Sequence, residues 1–242
     1  MQIGRGQDLV LVHGWAASGR VFDSVVTALA EDHRCTVVDL PGHGVAADDW
    51  DVGLEGLVEA VRGETARFDR PPRLIGWAMG ALIGLEVAAQ VPVRSLVCVG
   101  TASGGPDAAA GFTKMAELMV RDWPRFARSS ADMIVGEGVS SELHGFLTRM
   151  MTDTPLPVAR RTILDVAERD ARVPAASVDR PVLYIHGSED RISPLSVGQQ
   201  LTEITERSEL VIHDGVGHAP HLEDPERFLA DVRSFWKADD DA

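Results

Sequence analysis

The sequence predicts an α/β protein with a mostly parallel central sheet, flanked by helices and interrupted by a helical insertion. Two observations predict this class. Short apolar runs alternate with stretches of helical periodicity over residues 8–100, and the alternation resumes over 181–236. Between these regions, the segment 103–177 has helical patterns and no convincing buried strand. We therefore assign residues 1–102 and 178–242 to the core and 103–177 to a helical lid.

Each element is predicted from an apolar run or from apolar residues at helical spacing. In the first core segment these are strand 8–12, helix 21–31, strand 35–39, helix 51–68, strand 73–77, helix 81–89 and strand 93–100. The predicted lid helices are 108–119, 124–135, 141–151 and 157–169. The second core segment contains strands 181–186 and 208–212, helix 225–236 and a frayed acidic tail over 238–242.

Composition and charge exclude several classes of protein. The 242 residues are 45% hydrophobic but contain no apolar run of 18 residues, and no basic segment precedes an apolar one at the N-terminus. We therefore expect a cytoplasmic protein with no membrane contact. The net charge of −14 argues against a nucleic-acid partner. Cys35 and Cys98 lie in apolar runs, where reduced thiols are expected, and we expect no metal and no cofactor.

The strand at 73–77 leads into a turn with an unexpected central residue. Gly76-Trp77-Ala78-Met79-Gly80 has the spacing of Gly-x-Ser-x-Gly, with alanine where the serine would stand. In the intact motif that serine is a nucleophile on a strained strand-to-helix turn. Small residues are needed two positions either side, because a side chain there would strike the turn or the neighbouring strand. Alone, the pattern also fits an ordinary glycine-containing turn.

Three further loops follow predicted strands. His13-Gly14-Trp15 comes after the first, where hydrolases of this pattern place a backbone N–H for an oxyanion, and Trp15 would supply it. Asp190 and His218 follow two strands beyond the lid. Each signal alone fits a plain turn, a cap or a solvated side chain. The order of nucleophile position, acid and histidine is that of a Ser-His-Asp triad, and all three would meet at the carboxyl ends of parallel strands.

Two other histidines, His43 and His221, are also candidates for the catalytic role. His218 is chosen over His221 because Gly217 precedes it and a helix start follows at residues 223–225. We interpret His221 as structural. His43, in the loop Leu40-Pro41-Gly42-His43-Gly44, is interpreted as a loop residue because this loop stops a strand and bends across the sheet.

Together these motifs resemble the α/β-hydrolase superfamily along nearly the whole chain, which implies the α/β-hydrolase fold. The resemblance is carried by His13-Gly14-Trp15, the loop 38–44, Gly76-Trp77-x-Met79-Gly80 and Gly217-His218-Ala219-Pro220. Within the superfamily the chain is most similar to the pimeloyl-acyl-carrier-protein methyl ester carboxylesterases of biotin biosynthesis. Related lactonases, enol-hydrolases and haloperoxidases share most of this skeleton, so another small-ester or lactone hydrolase stays open.

The resemblance implies a role for each residue. A serine at position 78 would attack the ester carbonyl, His218 would relay the proton to the departing alkoxide, and Asp190 would hold the imidazole. The backbone N–H groups of Trp15 and Met79 would stabilise the oxyanion.

Alanine has no oxygen for this attack, so the chain is expected to bind substrate without turning it over. Ala78 is either an engineered serine-to-alanine exchange or a natural residue of a non-catalytic, ligand-binding relative. The retention of Asp190, His218 and the Trp15 loop favours the exchange.

The resemblance also implies substrate contacts. Trp15 and Trp77 would touch the substrate, and Arg125 and Arg128 in the lid would meet an acyl carrier protein that presents it. Residues 103–175 hold nine Lys+Arg and ten Asp+Glu, so nearly all of the net charge of −14 lies elsewhere. An acidic carrier would find its least repulsive surface on the lid. The alternative is that these arginines pair with acids of the lid itself. Acyl chain length, leaving alcohol and oligomeric state stay open.

Overall fold

A seven-stranded sheet lies at the centre of the computed structural model, which describes residues 1–46, 53–136 and 139–240. The strands are β1 (Gln2–Gly4), β2 (Gln7–Val12), β3 (His33–Val38), β4 (Arg73–Trp77), β5 (Leu96–Val99), β6 (Val182–Gly187) and β7 (Ser208–His213). Their order is β1-β3-β2-β4-β5-β6-β7. β1 is antiparallel to β3, and every other neighbouring pair is parallel. The predicted mostly parallel α/β sheet is confirmed.

Helices cover both faces of this sheet. They are α1 (Asp23–Leu29), α2 (Leu54–Thr65), α3 (Met79–Ala88), α4 (Ala109–Met119), α5 (Trp123–Ile134), α6 (Ser141–Asp153), α7 (Leu156–Ala167), α8 (Arg172–Ala175), α9 (Leu195–Ile204), α10 (Pro220–Glu223) and α11 (Pro225–Asp240). Helices α4 to α8 all lie between β5 and β6. In this insertion α4 packs on α7 and α5 on α6.

The central strands β2, β4, β5 and β6 are largely apolar because both of their faces are buried. Along β2, Leu9 and Leu11 belong to one buried cluster with residues of α1 and α11. Val10 and Val12 point the other way, into a second cluster with residues of α2 and α3. Successive side chains of a strand alternate between the faces of its sheet, so a strand covered on both sides reads as a continuous apolar run.

Several boundaries differ from the prediction. The expected helix 21–31 is a 3₁₀ turn at Gly19–Phe22 followed by α1, and α11 extends beyond residue 236. Residues 51 and 52, the expected start of the second helix, lie outside the described residues. Strand β1 and helices α8, α9 and α10 were not predicted. β1 is a short exposed edge strand that ends in a glycine, and α8 and α10 have only four residues each.

The prediction of a frayed acidic tail is wrong as far as residue 240. Helix α11 continues to Asp240, whose carboxylate pairs with the guanidinium groups of Arg73 and Arg94. Asp239 adds a 3.4 Å contact to Arg94. The Arg73 side chain is only 3% exposed, so its charge needs a partner. The last acids of the chain therefore hold α11 against the start of β4.

Candidate active site

Strand β4 ends and helix α3 begins at Ala78, which has a strained backbone. Its φ is 52° and its ψ is −113°. A residue with a Cβ atom in such a region costs about 1–3 kcal/mol, so the surrounding structure must hold it there. The Ala78 N–H donates to the carbonyl of Val99 at 2.8 Å, and its carbonyl accepts from Ala102 at 3.2 Å. The predicted strand-to-helix turn is therefore present and fixed by neighbouring backbone.

The two glycines of the turn allow α3 to pack closely on the sheet. A Cβ atom at Gly76 would lie 2.4 Å from the carbonyl oxygen of Gly80, and one at Gly80 would lie 2.2 Å from that of Val12. Neither distance is tolerated by a real side chain, so the glycine spacing follows from the geometry of the turn.

Asp190 and His218 lie together beyond the ends of β6 and β7. His218 Nδ1 is 2.7 Å from Asp190 Oδ2, and Asp190 Oδ1 accepts the N–H groups of Ile192 and Ser193 at 2.8 Å each. Burial works to raise the pKa of Asp190, but the charge of His218 and hydrogen bonds from His186 and His218 outweigh it and hold that pKa well below its usual range. Asp190 is therefore an ionised acceptor for the His218 Nδ1–H.

Gly100 makes room for this pair. It follows β5 with a φ of 52°, and a Cβ atom there would lie 2.9 Å from His218 Nδ1. Trp77 holds the histidine from another side, because its indole N–H donates to the His218 carbonyl at 2.9 Å. The sequence analysis did not single out Gly100, since its contact is with a residue far along the chain.

The N–H groups of Trp15 and Met79 have no hydrogen-bond partner among the described residues. Both residues line a cavity that also contains Ala78 and His218. Met79 is the first residue of α3, so its N–H has no partner within the helix. The Trp15 indole is fixed separately, by donating to the carbonyl of Ala159 in α7 at 2.8 Å.

A neutral histidine supports the loop of Trp15. His13 Nδ1 donates to the carbonyl of Gly14 at 2.8 Å, and its Nε2 accepts from the N–H of Leu40 at 3.0 Å. Complete burial and the nearby charge of His43 lower the pKa of His13 to about 3. His43 itself is buried with Nδ1 3.0 Å from the carbonyl of Pro41, in the loop where the sequence placed it.

His221 lies outside the cavity. Its ring packs between Phe22, Trp77 and Phe228, and neither of its nitrogens has a hydrogen-bond partner among the described residues. Burial, followed by the charge of His218, lowers the pKa of His221 to about 3. His218, in contrast, lines the cavity. Of the two histidines, only His218 is in a position to reach a bound ligand.

The cavity at Ala78 has a volume of about 330 Å³ and mostly apolar walls. Trp15, Trp77 and Met79 form the wall next to Ala78. The insertion contributes further apolar side chains, namely Phe112, Met115, Ile134, Met151, Ile163 and Val166. Asp190 does not line the cavity, since it lies behind His218 with its side chain fully buried.

An outer groove of about 790 Å³ adjoins this cavity between α4 and α5. Phe112, Met115 and Ser130 line both spaces, so the groove leads outward from the cavity. Arg125 lines the groove, whereas Arg128 is exposed on the same helix outside it. The two predicted lid arginines are thus on α5 but in different settings.

Two side chains that the sequence analysis did not single out contact the end of α5. Arg191, next to Asp190, donates from Nη2 to the carbonyls of Asp132 at 2.5 Å and Val135 at 2.9 Å. Glu223 accepts the N–H of Gly136 at 2.7 Å. These partners are between 56 and 87 residues apart in the chain, so no local pattern reveals them.

Two other kinds of site are absent from the part of the chain that the structure describes. There, no three His, Cys, Asp or Glu side chains come together as a metal ion would require. No helix there has both the length and the apolar character to cross a membrane.

Comparisons with known proteins agree with this architecture. Residues 9–232 match the model of the alpha/beta hydrolase family. A pimeloyl-[acyl-carrier protein] methyl ester esterase of Neisseria meningitidis serogroup C is 32% identical over 239 residues, which cover 93% of this chain and 91% of that protein. The protein of the same name from Vibrio cholerae is 30% identical over 253 residues, covering 96% and 95%.

Solved structures give the same likeness at the level of fold. An esterase from Exiguobacterium antarcticum has a TM-score of 0.89 at 20% identity, covering 98% of this chain and 94% of its own. A bromoperoxidase from Bacillus anthracis has a TM-score of 0.91 at 19% identity with the same coverage. At this low identity such matches support the fold alone.

Proposed function

This chain belongs to the alpha/beta hydrolase family, and from that premise we propose that it has the site of a serine carboxylesterase whose nucleophile position is occupied by Ala78. The observation that carries the proposal is the 2.7 Å contact between His218 and an ionised Asp190, beside a cavity that Ala78 also lines. The proposed triad is residue 78, His218 and Asp190. Relatives named as methyl ester esterases support ester hydrolysis as the reaction.

The proposed mechanism requires a hydroxyl at position 78. Its oxygen would attack the ester carbonyl while His218 takes its proton, and Asp190 would hold the imidazole with Nδ1–H bound and Nε2 facing the cavity. The N–H groups of Trp15 and Met79 would bind the oxyanion. His218 would then protonate the departing alkoxide, and water would release the acid from the acyl-enzyme by the same steps. Ala78 removes only the attacking oxygen, so this chain is expected to bind esters without hydrolysing them.

We propose a methyl ester at the end of an aliphatic acyl chain as the substrate, on the model of pimeloyl-acyl-carrier-protein methyl ester. The apolar cavity suits the methylene chain, with Trp15 and Trp77 next to the reacting group. The adjoining groove gives the rest of the acyl chain a path past Arg125 to the surface. The insertion would act as the lid over this path. A shorter ester or a lactone would also fit the cavity and is the alternative within the same reaction class.

Charge on α5 favours a carrier-bound substrate. Some arginines of the insertion have acidic partners, such as Arg161 with Asp165 at 3.1 Å and Arg172 with Asp170 at 2.7 Å. Four others form no ion pair among the described residues, namely Arg121, Arg128, Arg149 and Arg160. Arg125 has no such ion pair among the described residues, although it lines the groove. A cation that is free of intramolecular pairing at the mouth of a groove attracts an acidic partner, on a molecule whose net charge of −14 otherwise repels one.

We predict that Arg125→Glu with Arg128→Glu, in a chain that also carries Ala78→Ser, lowers kcat/KM for a carrier-bound methyl ester about tenfold. A free small ester should be hydrolysed at an unchanged rate, because the triad and cavity are untouched. The matched control is Arg70→Glu with Arg207→Glu, which makes the same change in charge at exposed sites away from α5. Steady-state kinetics on both substrates measures the effect.

Equal loss on both substrates would indicate a misfolded lid. An unchanged rate on the carrier-bound ester, or an equal loss in the control, would remove the carrier protein as a partner of α5. The proposal of ester hydrolysis itself depends on restoring the hydroxyl at position 78 and would survive either outcome.

A further inference from the structure

Glu223 joins the histidine loop to the insertion. Its carboxylate accepts the N–H of Gly217 at 3.2 Å and that of Ala219 at 3.3 Å, so its two donors in this loop flank His218. The third donor is the N–H of Gly136, just past the end of α5, at 2.7 Å. A single side chain thus holds the backbone on both sides of the proposed catalytic base and the end of a lid helix.

The loop and the helix end are also in direct contact. The N–H of His218 donates to the carbonyl of Ile134, the last residue of α5, at 2.7 Å. A Cβ atom at Gly217 would lie 2.7 Å from the backbone nitrogen of Gly136 and 2.8 Å from the Ile134 carbonyl oxygen. There is no space between the two segments, so a shift of one must move the other.

The same helix forms part of both ligand spaces. Ser130 and Ile134 line the cavity, and Arg125 and Ser130 line the outer groove. A ligand that fills these spaces would therefore contact α5. The position of α5 is in turn tied, through Glu223, to the backbone of His218.

We propose that Glu223 is a positioning residue, which sets the orientation of His218 and couples it to the position of α5. The proposal rests on the proposed function, because only a catalytic role for His218 makes its orientation matter. A carboxylate offers two acceptor oxygens to the three N–H donors that converge on it, whereas an amide in its place would turn an NH₂ group toward some of them. Glu223→Gln should therefore keep some of the three hydrogen bonds that Glu223 accepts, and Glu223→Ala should keep none of them.

The first test needs no catalysis and uses the chain with Ala78 as it stands. The proton on His218 Nδ1, bound to Asp190, is expected as a downfield resonance in proton NMR spectra, assigned by its loss in His218→Ala. Glu223→Ala should shift or broaden this resonance through exchange with water, and Glu223→Gln should do so less. Glu226→Gln is the matched control, since Glu226 is exposed on the next helix, and it should leave the resonance unchanged.

The second test measures kinetics with Ala78→Ser in place. A displacement of about 1 Å at a catalytic group lowers the rate about 100-fold, so Glu223→Ala should reduce kcat by about that factor, with a much smaller change in KM. The kcat of Glu223→Gln should lie between that of Glu223→Ala and that of the parent, which carries only Ala78→Ser. The kcat of Glu226→Gln should equal that of this parent. A purely structural role predicts a lower melting temperature with an unchanged kcat for the folded fraction.

Retention of the His218 resonance and of kcat in folded Glu223→Ala would overturn the positioning role. If that variant does not fold, Glu223→Gln decides the question by the same two measurements. Absence of all hydrolysis in Ala78→Ser would count against the proposed function, whereas the NMR result would still show whether Glu223 orients His218.

Discussion

Ala78→Ser is expected to turn the chain into an active esterase, with a rate about a million-fold above that of the chain with Ala78, the factor by which loss of a triad serine lowers turnover. The substitution adds one oxygen to a Cβ atom that already lies in the strained turn at φ 52°. Asp190 and His218 are already 2.7 Å apart. No rearrangement of the backbone is needed, because the turn at Ala78 and the contact between His218 and Asp190 are already present.

Hydrolysis of p-nitrophenyl acetate and of dimethyl pimelate measures this prediction, by release of p-nitrophenol and of methanol. A burst of p-nitrophenol equal to the enzyme concentration would identify the acyl-enzyme. Ala78→Gly serves as the control, since glycine tolerates the same backbone but has no nucleophile. A folded Ala78→Ser variant with neither burst nor turnover would contradict the esterase proposal and favour a ligand-binding protein that uses the cavity without chemistry.

His218→Ala, made together with Ala78→Ser, is expected to abolish the restored activity. The loss should be about a million-fold, similar to that for the serine itself, because the two groups act as a unit. His221→Ala in the same background should retain activity within about tenfold. His221 lies outside the cavity with its ring packed against Trp77 and Phe228, so its removal lowers stability by leaving a hole in the core.

The pair of histidine variants is informative because both side chains are buried and only three residues apart. Kinetics on p-nitrophenyl acetate should be read beside thermal melting of each variant, so that loss of fold is separated from loss of chemistry. The reverse result, with activity lost in folded His221→Ala and kept in His218→Ala, would mean that the proposed base is the wrong histidine.

The fold was predictable because the core strands are covered on both faces. Runs such as Leu9 to Val12 are apolar at every position, and such runs are readable from sequence without knowledge of their neighbours. Strand β1 escaped prediction because it is exposed, has only three residues and gains its pairing from β3. The extension of α11 to Asp240 was not predicted because its ionic partners, Arg73 and Arg94, are distant in sequence.

The site was predictable in its local motifs and not in the contacts between them. The turn at Ala78 follows from two glycines that stand close to it in sequence, and the loops of Asp190 and His218 follow from their places after strands. Gly100 was missed because its contact with His218 joins distant parts of the chain. Glu223 was named only as part of a helix start, because its contact with Gly136 joins residues 87 positions apart. Their roles depend on the contacts that the loop of His218 makes with Gly100 and with the end of α5. A single sequence does not specify these contacts.

The strain at Ala78 also bears on the history of this position. Serine needs the left-handed turn in order to present its oxygen, but alanine gains nothing from it and still bears the cost of about 1–3 kcal/mol. Without selection for a nucleophile, drift would be expected to admit glycine, which adopts a φ of 52° with no steric penalty. On this ground we propose that Ala78 results from a serine-to-alanine exchange, which removed one oxygen atom from a turn that is otherwise intact.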